Sequence, residues 1–455
     1  MPINRRIFIR QTLSIGPVAM AFWLERDLAW GADGQCGLPD PSADCTLPSP
    51  RPAQRFIPNE PKVQTRHSAL EMAAPGRAVQ LKQFRDAICL VRNLPKNDVI
   101  GWTKQVAQHC IQCDPANTSN IHFDWQFLPW HRGLLYFLER ILRKLSNHDD
   151  LRLVYWDWEN PGSRHLPAIY APSGQPLYWA NRRVTGAGWP LPNGDVNVQP
   201  LLGVPNFRVF GGTATQSKPV PAVFSGPHAN VHNAFDPGDM ADLQFSPRDP
   251  VFYAHHGNID RLWSSWVAAG HGNPDFGDTK VFFYDENREW RFVLANDLRD
   301  ETKLGYKYSS LMHRTPAAAA MRALPLSLTA NHLALAPQVM ASIKPSAPAF
   351  LIVENLHNPE QAPPDTVKFG IFHGSPPVGT QSDTYKGFLG VISRVRTRHS
   401  HPSPLSAVLD VSGKLGALAQ ANKGALNLMA APLDAGGKTT APASAVVADS
   451  LQLIA

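Results

Sequence analysis

The sequence predicts a mainly α-helical domain, a four-helix bundle with long loops, followed by a C-terminal β-sandwich. In the first part of the chain apolar side chains recur at helical spacing, whereas beyond residue 348 they alternate with a period of two. Around residue 312 the composition shifts toward Pro and Ala, which is typical of a linker. With 455 residues, of which 43% are hydrophobic, the chain can form more than one core.

Helical periodicity is confined to particular segments of the first domain. Between Gln80 and Val91 the apolar residues lie on one helix face, and Pro95 ends the segment. The glycines and prolines before Gly226 predict long loops with little regular structure. The helices expected from this pattern cover residues 80–91, 101–110, a segment after Pro129, the region of His228, and residues 249–268.

The C-terminal region has the period-two pattern of strands that bury one face. Its alternating apolar positions are Val367, Phe369 and Ile371, then Ala407, Leu409 and Val411, and finally Leu451 and Leu453. We therefore divide the chain into a signal segment (1–31), a helical domain (32–311), a linker (312–348) and a β-rich domain (349–455).

The N-terminus has the layout of a twin-arginine export signal. Arg5 and Arg6 precede a short apolar stretch from Leu13 to Leu24. This pattern predicts a periplasmic or secreted protein, with a basic N-terminal arm as the alternative. The stretch is too short to span a bilayer, so we expect no stable membrane anchor.

The charge balance does not indicate a nucleic-acid-binding protein. The formal net charge is +6 and the pI about 9.0, but no dense Lys/Arg run follows the N-terminus. We interpret the excess of basic residues as mild surface charge. A homo-oligomer is a further option that the sequence leaves open.

Histidines form two groups that are far apart in the chain. Six imidazoles, three from each group, can ligate two metal ions, and all-imidazole sites suit copper, zinc, iron or nickel. Each histidine alone is ambiguous, because histidines near aromatic residues are often hydrogen-bonded core residues. Two facing helix pairs would place a dimetal site at the centre of a bundle. The groups are His109, His122 and His131, and His228, His232 and the pair His255–His256.

The residues around the second group exclude some metal chemistries. His228 and His232 have the i, i+4 spacing of one helix face, but Ala229 stands where a zinc protease needs Glu. No carboxylate lies near the histidines at a spacing such as Glu-x-x-His, which counts against iron. Polar residues near the last pair are expected to orient the ligands, namely Asp249, Asn258, Asp260 and Arg261.

The motifs HCIQC, IHFDWQFLPWHRGLLYFLERIL, PHANVHNAF and FSPRDPVFYAHHGNIDRLWSSW resemble those of the type-3 copper proteins, the tyrosinases and catechol oxidases (polyphenol oxidases). The resemblance runs from about Gln80 to Trp266. It is nearest to the plant-type pattern, which VYWDWENP and the Tyr-x-Tyr at Tyr306 and Tyr308 also match. It implies a copper-dependent oxidoreductase with two copper ions and O2 as co-substrate, here in an exported bacterial chain.

The resemblance also implies a ligand set. Copper A takes His109, His122 and His131, and copper B takes His228, His232 and one residue of the 255/256 pair. Adjacent helical residues point about 100° apart, so only one of that pair faces the metal. The family pattern indicates His256, four residues after Phe252, which would line the substrate pocket. His255 is then a neighbour of the ligands or a core residue.

Two cysteines have counterparts in the family. Cys113 corresponds to the cysteine that a thioether joins to the second copper A histidine, here His122, with a disulfide at Cys113 as the alternative. Cys110 corresponds to a cysteine that is disulfide-bonded to the N-terminal stretch, with Cys45 or Cys36 as its partner.

The chain departs from the family beside copper B. Family members carry Glu four residues before the first copper B histidine, where this chain has Phe224. The residues after the first and second of these histidines are Ala229 and Asn233, and Asn233 could orient a water or a substrate carboxylate. We therefore expect oxidation of o-diphenols to o-quinones on small phenolic substrates, with monophenol hydroxylation (tyrosinase activity) as a further activity. An o-aminophenol oxidase is an alternative.

Two other functions use similar sites. A hemocyanin-like oxygen carrier has the same dicopper centre, and a binuclear zinc hydrolase normally uses carboxylate bridges, which are not evident here. By resemblance, the β-rich domain covers the copper pocket and inserts an apolar plug, whereas the alternative is a stabilising or oligomerisation domain. The plug candidates are Phe350, Phe369, Phe372 and Phe388.

Overall fold

A computed structural model gives the conformation of most of the chain. The predicted export signal, Cys36 and most of the predicted linker lie outside the described residues. Those residues are 45–48, 52–113, 121–186, 188–214, 219–314, 323–324, 327–329, 332–334, 348–359, 362–363, 365–396, 405–422 and 425–454.

The first part of the described chain is helical, as predicted. None of its helices is both long and apolar enough to cross a membrane. The helices are α1 (Ala69–Met72), α2 (Ala78–Arg92), α3 (Trp102–Gln112), α4 (Phe127–Ser146), α5 (Gln199–Gly203), α6 (Phe207–Gly211), α7 (Ala229–Asn233) and α8 (Val251–Ala268), with α9 (Leu415–Ala421) in the C-terminal part.

Helix α4 is the centre of the helical domain and packs against both α2 and α8. Its apolar residues are buried, and Pro129 lies in its first turn, where a backbone N–H is not needed. Gly133 allows close packing, because a Cβ atom there would lie 2.6 Å from the ring of Phe283. The helix ends at Asn147, whose left-handed conformation (φ 55°) closes its last turn.

The segment before His228 contains more regular structure than the sequence predicts. Short helices α5 and α6 interrupt the expected loop, and a π-helical turn covers Phe224–His228. Pro227 lies inside that turn rather than at a helix start, and the α-helix begins one residue after His228. The difference arises because short helices of this kind depend on the packing of their apolar side chains rather than on propensity.

The C-terminal part forms the predicted β-sandwich. The strands of the chain are β1 (Gln54–Arg55), β2 (Gln64–Arg66), β3 (Lys280–Tyr284), β4 (Trp290–Leu294), β5 (Tyr306–Tyr308), β6 (Ala323–Leu324), β7 (Ser327–Thr329), β8 (His332–Ala334), β9 (Phe350–Leu356), β10 (Lys368–His373), β11 (Phe388–Ser393), β12 (Leu405–Asp410), β13 (Ala425–Pro432), β14 (Ser444–Ala445) and β15 (Ala448–Ile454). One sheet has the order β11-β10-β13-β8-β7, with β14 beside β13, and the other has the order β12-β9-β15-β6.

The core of the sandwich lies between these two sheets. Phe369 and Ile371 of β10 and Leu409 of β12 are buried in it, as their alternation predicts. Strands β6 to β8 differ from the expectation of a linker over 312–348, because they pair with β15 and β13. In the helical domain, β1, β4 and β3 form a small sheet, and β2 pairs with β5.

Polar contacts join the β-sandwich to the helical domain near α7. Lys368 forms a largely buried ion pair with Asp195 at 2.9 Å, and the Asn233 side-chain amide donates to the Arg394 carbonyl at 2.8 Å. The Leu243 amide donates to the Arg396 carbonyl at 2.9 Å. The residues that follow β11 therefore lie directly against the segment that carries the second histidine group.

Asp260 of α8 joins several elements of the helical domain through its buried carboxylate. Its Oδ2 accepts from Tyr306 at 2.6 Å and also from Tyr308, while its Oδ1 accepts from Arg132 of α4. Arg66 of β2 lies 3.4 Å from the same carboxylate. Although burial raises the pKa of Asp260, these two arginines hold it below its ordinary value. The carboxylate is thus ionised and connects α8, α4, β2 and β5.

We predict that Asp260→Asn lowers the free energy of unfolding by about 3–5 kcal/mol, because the buried guanidinium of Arg132 loses its close carboxylate and Arg66 keeps only Glu139. Urea unfolding of the metal-free chain measures the change. Asp278→Asn is the control, since Asp278 is exposed and the same substitution there should leave stability unchanged. Equal stability of the two variants would contradict the role given to Asp260.

Candidate metal centre

The first histidine group comes from two helices and the turn between them. His109 lies on the last turn of α3, His122 in the turn before α4, and His131 in the second turn of α4. Their ring centroids are 5.0 to 5.5 Å apart, and the rings are buried. The three imidazoles therefore surround one point.

The second group is assembled by α7 and α8. His228 directly precedes α7, His232 lies within it, and the neighbouring ring of His256 comes from α8. The His228 ring lies 4.5 Å from that of His232 and 5.1 Å from that of His256. These side chains are also buried.

The two groups meet between α4 and α8. The rings of His131 and His256 stack at 4.2 Å with an interplanar angle of 9°. In each group the candidate ligand atoms lie within 4.8 Å of one another. The structure thus brings all six predicted ligands together as two adjacent triads.

Backbone carbonyls orient three of these rings. Nδ1 of His131 is hydrogen-bonded to the Phe127 carbonyl at 2.7 Å, Nδ1 of His232 to the Met240 carbonyl at 2.6 Å, and Nδ1 of His228 to the Phe224 carbonyl at 3.3 Å. Because a carbonyl only accepts, each Nδ1 carries the proton and each Nε2 keeps its lone pair. All three Nε2 atoms are buried without a hydrogen-bond partner in the structure.

This pattern fits metal coordination. A buried nitrogen without a partner is costly, and a metal ion would satisfy it. In the first triad, Nε2 of His109 and Nε2 of His122 approach to 3.2 Å. Two nitrogens bound to one tetrahedral metal at about 2.0 Å would lie about 3.3 Å apart. The residues present therefore fit two ions held by imidazole nitrogens.

Burial keeps the rings neutral, as metal ligands must be. Desolvation, with a smaller contribution from His232, lowers the pKa of His131 to about 3, and desolvation lowers that of His232 to about 4. Burial and the neighbouring rings hold the pKa of the remaining four far below the ordinary value for histidine; these are His109, His122, His228 and His256.

The pair His255–His256 differs in hydrogen bonding. Nδ1 of His255 accepts from the indole Nε1 of Trp158 at 3.1 Å, whereas both ring nitrogens of His256 are without a hydrogen-bond partner. The His256 ring also stacks against the ring of His131, which belongs to the first triad. Nε2 of His255 also has no hydrogen-bond partner in the structure, so the two histidines differ at Nδ1, and His256 as the ligand stays a prediction.

The cysteines occupy two different environments. Cys110 forms a disulfide with Cys45, one of its two predicted partners. Cys113 is a free, buried thiol with its Sγ 3.8 Å from Nδ1 of His122 and 3.2 Å from the His109 carbonyl. The thiol thus lies beside the histidine that the family resemblance joins to it.

Aromatic side chains line the space between the triads. Phe252 lies 4.2 Å from His256 and 5.1 Å from His109, measured between ring centroids. Phe224 lies 5.1 Å from His228 and 5.8 Å from His122, so it contacts one ligand of each triad. Both phenylalanines are buried.

The other two predicted pocket residues have different surroundings. Ala229 is buried directly after the His228 ligand. Asn233 is half-buried, and its side-chain amide donates to the Arg394 carbonyl of the β-sandwich. Its N–H groups are thus partly used at the domain boundary.

Four residues expected to orient the ligands have other partners. Asp249 pairs with Arg182 and accepts from the first turn of α8, and Asp260 binds the arginines and tyrosines described above. Asn258 and Arg261 both donate to Glu159, at 2.9 and 2.6 Å. The expectation that these residues act directly on the imidazoles is therefore wrong. They fix the position of α8, and backbone carbonyls orient the rings instead.

Trp158 and Glu159 bind residues of α8 beside the site, but they were not among the site residues predicted from the sequence. They belong to the run Trp156–Glu159, which has two tryptophans and two carboxylates in succession. Side chains of this kind need hydrogen-bond partners when they are buried. The sequence therefore indicates that these side chains need hydrogen-bond partners. It does not indicate which residues of α8 are the partners.

Comparison with known proteins gives consistent similarities. A family profile described as "Common central domain of tyrosinase" matches residues 100–198 and 179–269, and one described as "Polyphenol oxidase middle domain" matches residues 271–317. Aureusidin synthase of Antirrhinum majus is 29% identical over 325 residues, which cover 61% of this chain and 58% of the relative. A chloroplastic polyphenol oxidase of Malus domestica is 31% identical, covering 61% of this chain and 54% of the relative. The chain thus spans little more than half the length of these relatives.

Solved structures show the same architecture. Latent apple tyrosinase superposes with a TM-score of 0.66 at 22% identity, covering 89% of this chain and all (100%) of that one. Latent aurone synthase gives 0.66 at 21% identity, covering 90% of this chain and 93% of the other. Grenache (Vitis vinifera) polyphenol oxidase gives 0.52 at 28% identity, with coverage of 61% and 96%. The first two likenesses show the fold, including the C-terminal sheets.

We predict that Cys113 and His122 become joined by a thioether when the chain is loaded with copper in air. The buried sulfur already lies beside the ring. Peptide mass spectrometry should show the two residues cross-linked and lighter by two hydrogen atoms. Cys113→Ser should abolish the cross-link, whereas Cys89→Ser should retain it, because Cys89 lies on α2. An uncross-linked Cys113 peptide after loading would contradict the assignment.

Proposed function

We propose that this chain, which belongs to the type-3 copper family of tyrosinases and polyphenol oxidases, oxidises o-diphenols to o-quinones with O2 as the oxidant. The observation that carries the proposal is the pair of all-imidazole triads in contact at His131 and His256. Two copper ions bound there would supply the electron transfer that reduces O2 to water while two catechols become two quinones. Each residue of the site has a separate part in this reaction.

The protein contributes orientation, neutrality and the exclusion of water. The carbonyls of Phe127, Phe224 and Met240 hold Nδ1 of three ligands, so each Nε2 lone pair has a fixed direction. The ring of Phe252 lies between the triads and offers an aromatic face to a phenolic ring. An apolar, dry site of this kind suits a small aromatic substrate.

Diphenol oxidation is favoured over monophenol hydroxylation because the site has no acceptor for the phenolic proton at the position of Phe224. This ring fills the space against His122 and His228. Asn233 is the polar residue expected to orient a water or the substrate, but its side-chain amide donates to the Arg394 carbonyl. Monophenol hydroxylation is thus the secondary activity, and an o-aminophenol, which carries the same ortho pair of donors, is an alternative substrate.

Two other functions share parts of the site. An oxygen carrier would use the same copper centre without turning over a phenol. A binuclear zinc hydrolase would bridge its ions with carboxylates, whereas the described triads consist of histidines alone. Copper analysis distinguishes the hydrolase, and catechol turnover distinguishes the carrier.

We expect the copper-loaded chain to consume O2 and produce o-quinone from catechol-like substrates, and to act much more slowly on tyramine-like monophenols. Oxygen uptake and quinone absorbance measure both reactions, with the metal-free chain as the control. A loaded chain that binds O2 but leaves catechol unchanged would be an oxygen carrier and would overturn the proposal.

The β-sandwich is proposed to cover the copper pocket, as the latent state named for the apple and aurone synthase structures suggests. The four predicted plug residues are wrong. Phe369, Phe372 and Phe388 belong to the cores of the sandwich, and Phe350 packs against Gly203. Val395, which follows β11, is instead buried within the apolar cluster of the helical domain.

Two contacts of the residues on either side of Val395 support this proposal. The Arg394 carbonyl accepts from Asn233, next to the His232 ligand, and Arg396 pairs with Asp236. The segment 394–396 is therefore attached to the helical domain on both sides of Val395. A stabilising or oligomerisation role for the sandwich is the alternative.

We predict that Val395→Ala raises catechol turnover several-fold, since it removes apolar volume from the segment that covers the pocket. Val378→Ala is the matched control, because Val378 is exposed on the same domain and should leave the rate unchanged. Limited proteolysis near residues 312–348 should also raise the rate of catechol turnover. If Val395→Ala lost stability without any gain in rate, the sandwich would be purely stabilising.

Export through the twin-arginine pathway is a further proposal, supported by Arg5 and Arg6 and the apolar stretch that follows them. Replacement of both arginines by lysine should retain the protein in the cytoplasm of a bacterial host. The homo-oligomer also stays a prediction, which sedimentation would test.

A further inference from the structure

The second triad contains a choice between adjacent histidines. His255 and His256 are both fully buried on α8. Together with His228 and His232 they form a set whose candidate ligand atoms all lie within 4.8 Å of one another. Proximity alone therefore offers four imidazoles for an ion that takes three. One of the four imidazoles must therefore be prevented from binding the ion.

Trp158 makes the two histidines chemically different. Its indole Nε1 lies 3.1 Å from Nδ1 of His255, and an indole N–H can only donate. Nδ1 of His255 must then be the acceptor and carry no proton. In a neutral imidazole the proton is consequently on Nε2. That Nε2 is buried near the triad, but it presents an N–H instead of a lone pair.

His256 has no such constraint. Neither of its ring nitrogens has a hydrogen-bond partner in the structure. Its ring stacks on His131 of the other triad at 4.2 Å. It can therefore adopt either tautomer and present a lone pair to the metal.

The position of Trp158 is fixed from both sides. On one side the Trp156 amide donates to the Ala254 carbonyl of α8 at 2.9 Å. On the other side Glu159 accepts from Asn258 and Arg261 of the same helix. These contacts hold the indole against His255.

Gly257 makes this arrangement possible. A Cβ atom there would lie 3.2 Å from the Val154 carbonyl, which leaves little space between α8 and the segment that leads to Trp158. The indole therefore acts at a set distance from His255 rather than as a mobile side chain.

We propose that Trp158 is a positioning residue that selects the third copper B ligand, because its indole N–H holds His255 in the tautomer that cannot bind metal and leaves the site to His256. The proposal rests on the copper centre and is independent of the proposed catechol oxidation. All of its tests are therefore made without a phenolic substrate.

The decisive comparison is between Trp158→Phe and Trp156→Phe. Both tryptophans are fully buried in one short segment, but the Trp156 indole donates to the Ser163 carbonyl at 2.6 Å instead of to a histidine. Loss of the Trp158 donor frees His255 to present Nε2 as a competing ligand. We expect Trp158→Phe to weaken binding of the second copper equivalent by about 10- to 100-fold, whereas Trp156→Phe leaves it unchanged.

Electron paramagnetic resonance gives a second readout that does not depend on activity. A coupled pair of Cu(II) ions is silent, whereas a copper B ion displaced toward His255 would be uncoupled and visible. The Cu(II) signal per chain should thus rise in Trp158→Phe and stay low in Trp156→Phe. Equal signals in the two variants would overturn the proposal.

A double variant separates ligand selection from a merely structural role. In Trp158→Phe with His255→Phe, both hydrogen-bonding partners are replaced by apolar rings, which can be nearly neutral in a core. If Trp158 acts through His255, the second substitution removes the competitor and restores copper affinity and the silent spectrum. If Trp158 is only a packing residue, the double variant stays at least as defective as Trp158→Phe.

The single histidine variants complete the test. His255→Phe should bind two copper ions per chain, and His256→Phe should bind one. If His255→Phe bound one ion and His256→Phe bound two, His255 would be the ligand and the proposal would be overturned. Urea midpoints of the metal-free variants show whether any loss of copper merely follows a loss of folding.

Discussion

The structure depends on one constraint, which is that six neutral imidazoles must be buried with their lone pairs directed at two neighbouring points. An unpaired buried polar atom costs about 1–3 kcal/mol, and several ring nitrogens of the triads have no hydrogen-bond partner among the described residues. Three of the rings cannot rotate to find other partners, because backbone carbonyls bind Nδ1. These nitrogens are therefore directed into the core, where two metal ions would satisfy them.

This arrangement requires α4 and α8 to remain in place, and the rest of the helical domain provides for it. The stacked rings of His131 and His256 lie where these helices meet. Below them, Asp260 of α8 binds Arg132 of α4 and the tyrosines of β5. A buried carboxylate stabilises the fold only while its arginine partners stay within ion-pair distance. Fixed helices and fixed rings are thus parts of one network.

The second domain contacts the helical domain beside the second triad through more than one segment. The Ser406 amide of β12 donates to Ser225 of the π-helical turn, and the Arg394 carbonyl accepts from Asn233. Residues that follow β11 donate and accept hydrogen bonds beside α7 and bury Val395 in the helical core. The Arg394 carbonyl of this stretch accepts a hydrogen bond from the side-chain amide of Asn233, the residue after the His232 ligand.

The sequence by itself determined the helical and strand periodicities, because these rest on the spacing of residues within one short segment. Its motifs, through their resemblance to the type-3 copper family, also predicted the six ligand positions and the departure at Phe224. Only the tertiary structure decided which residues act on the ligands. Asn258 and Arg261 bind Glu159, and the Trp158 indole donates to His255 but not to His256. Val395 rather than one of the four phenylalanines is buried in the helical-domain cluster, and part of the expected linker forms strands. These outcomes depend on contacts between segments that are distant in the chain, and no local pattern encodes them.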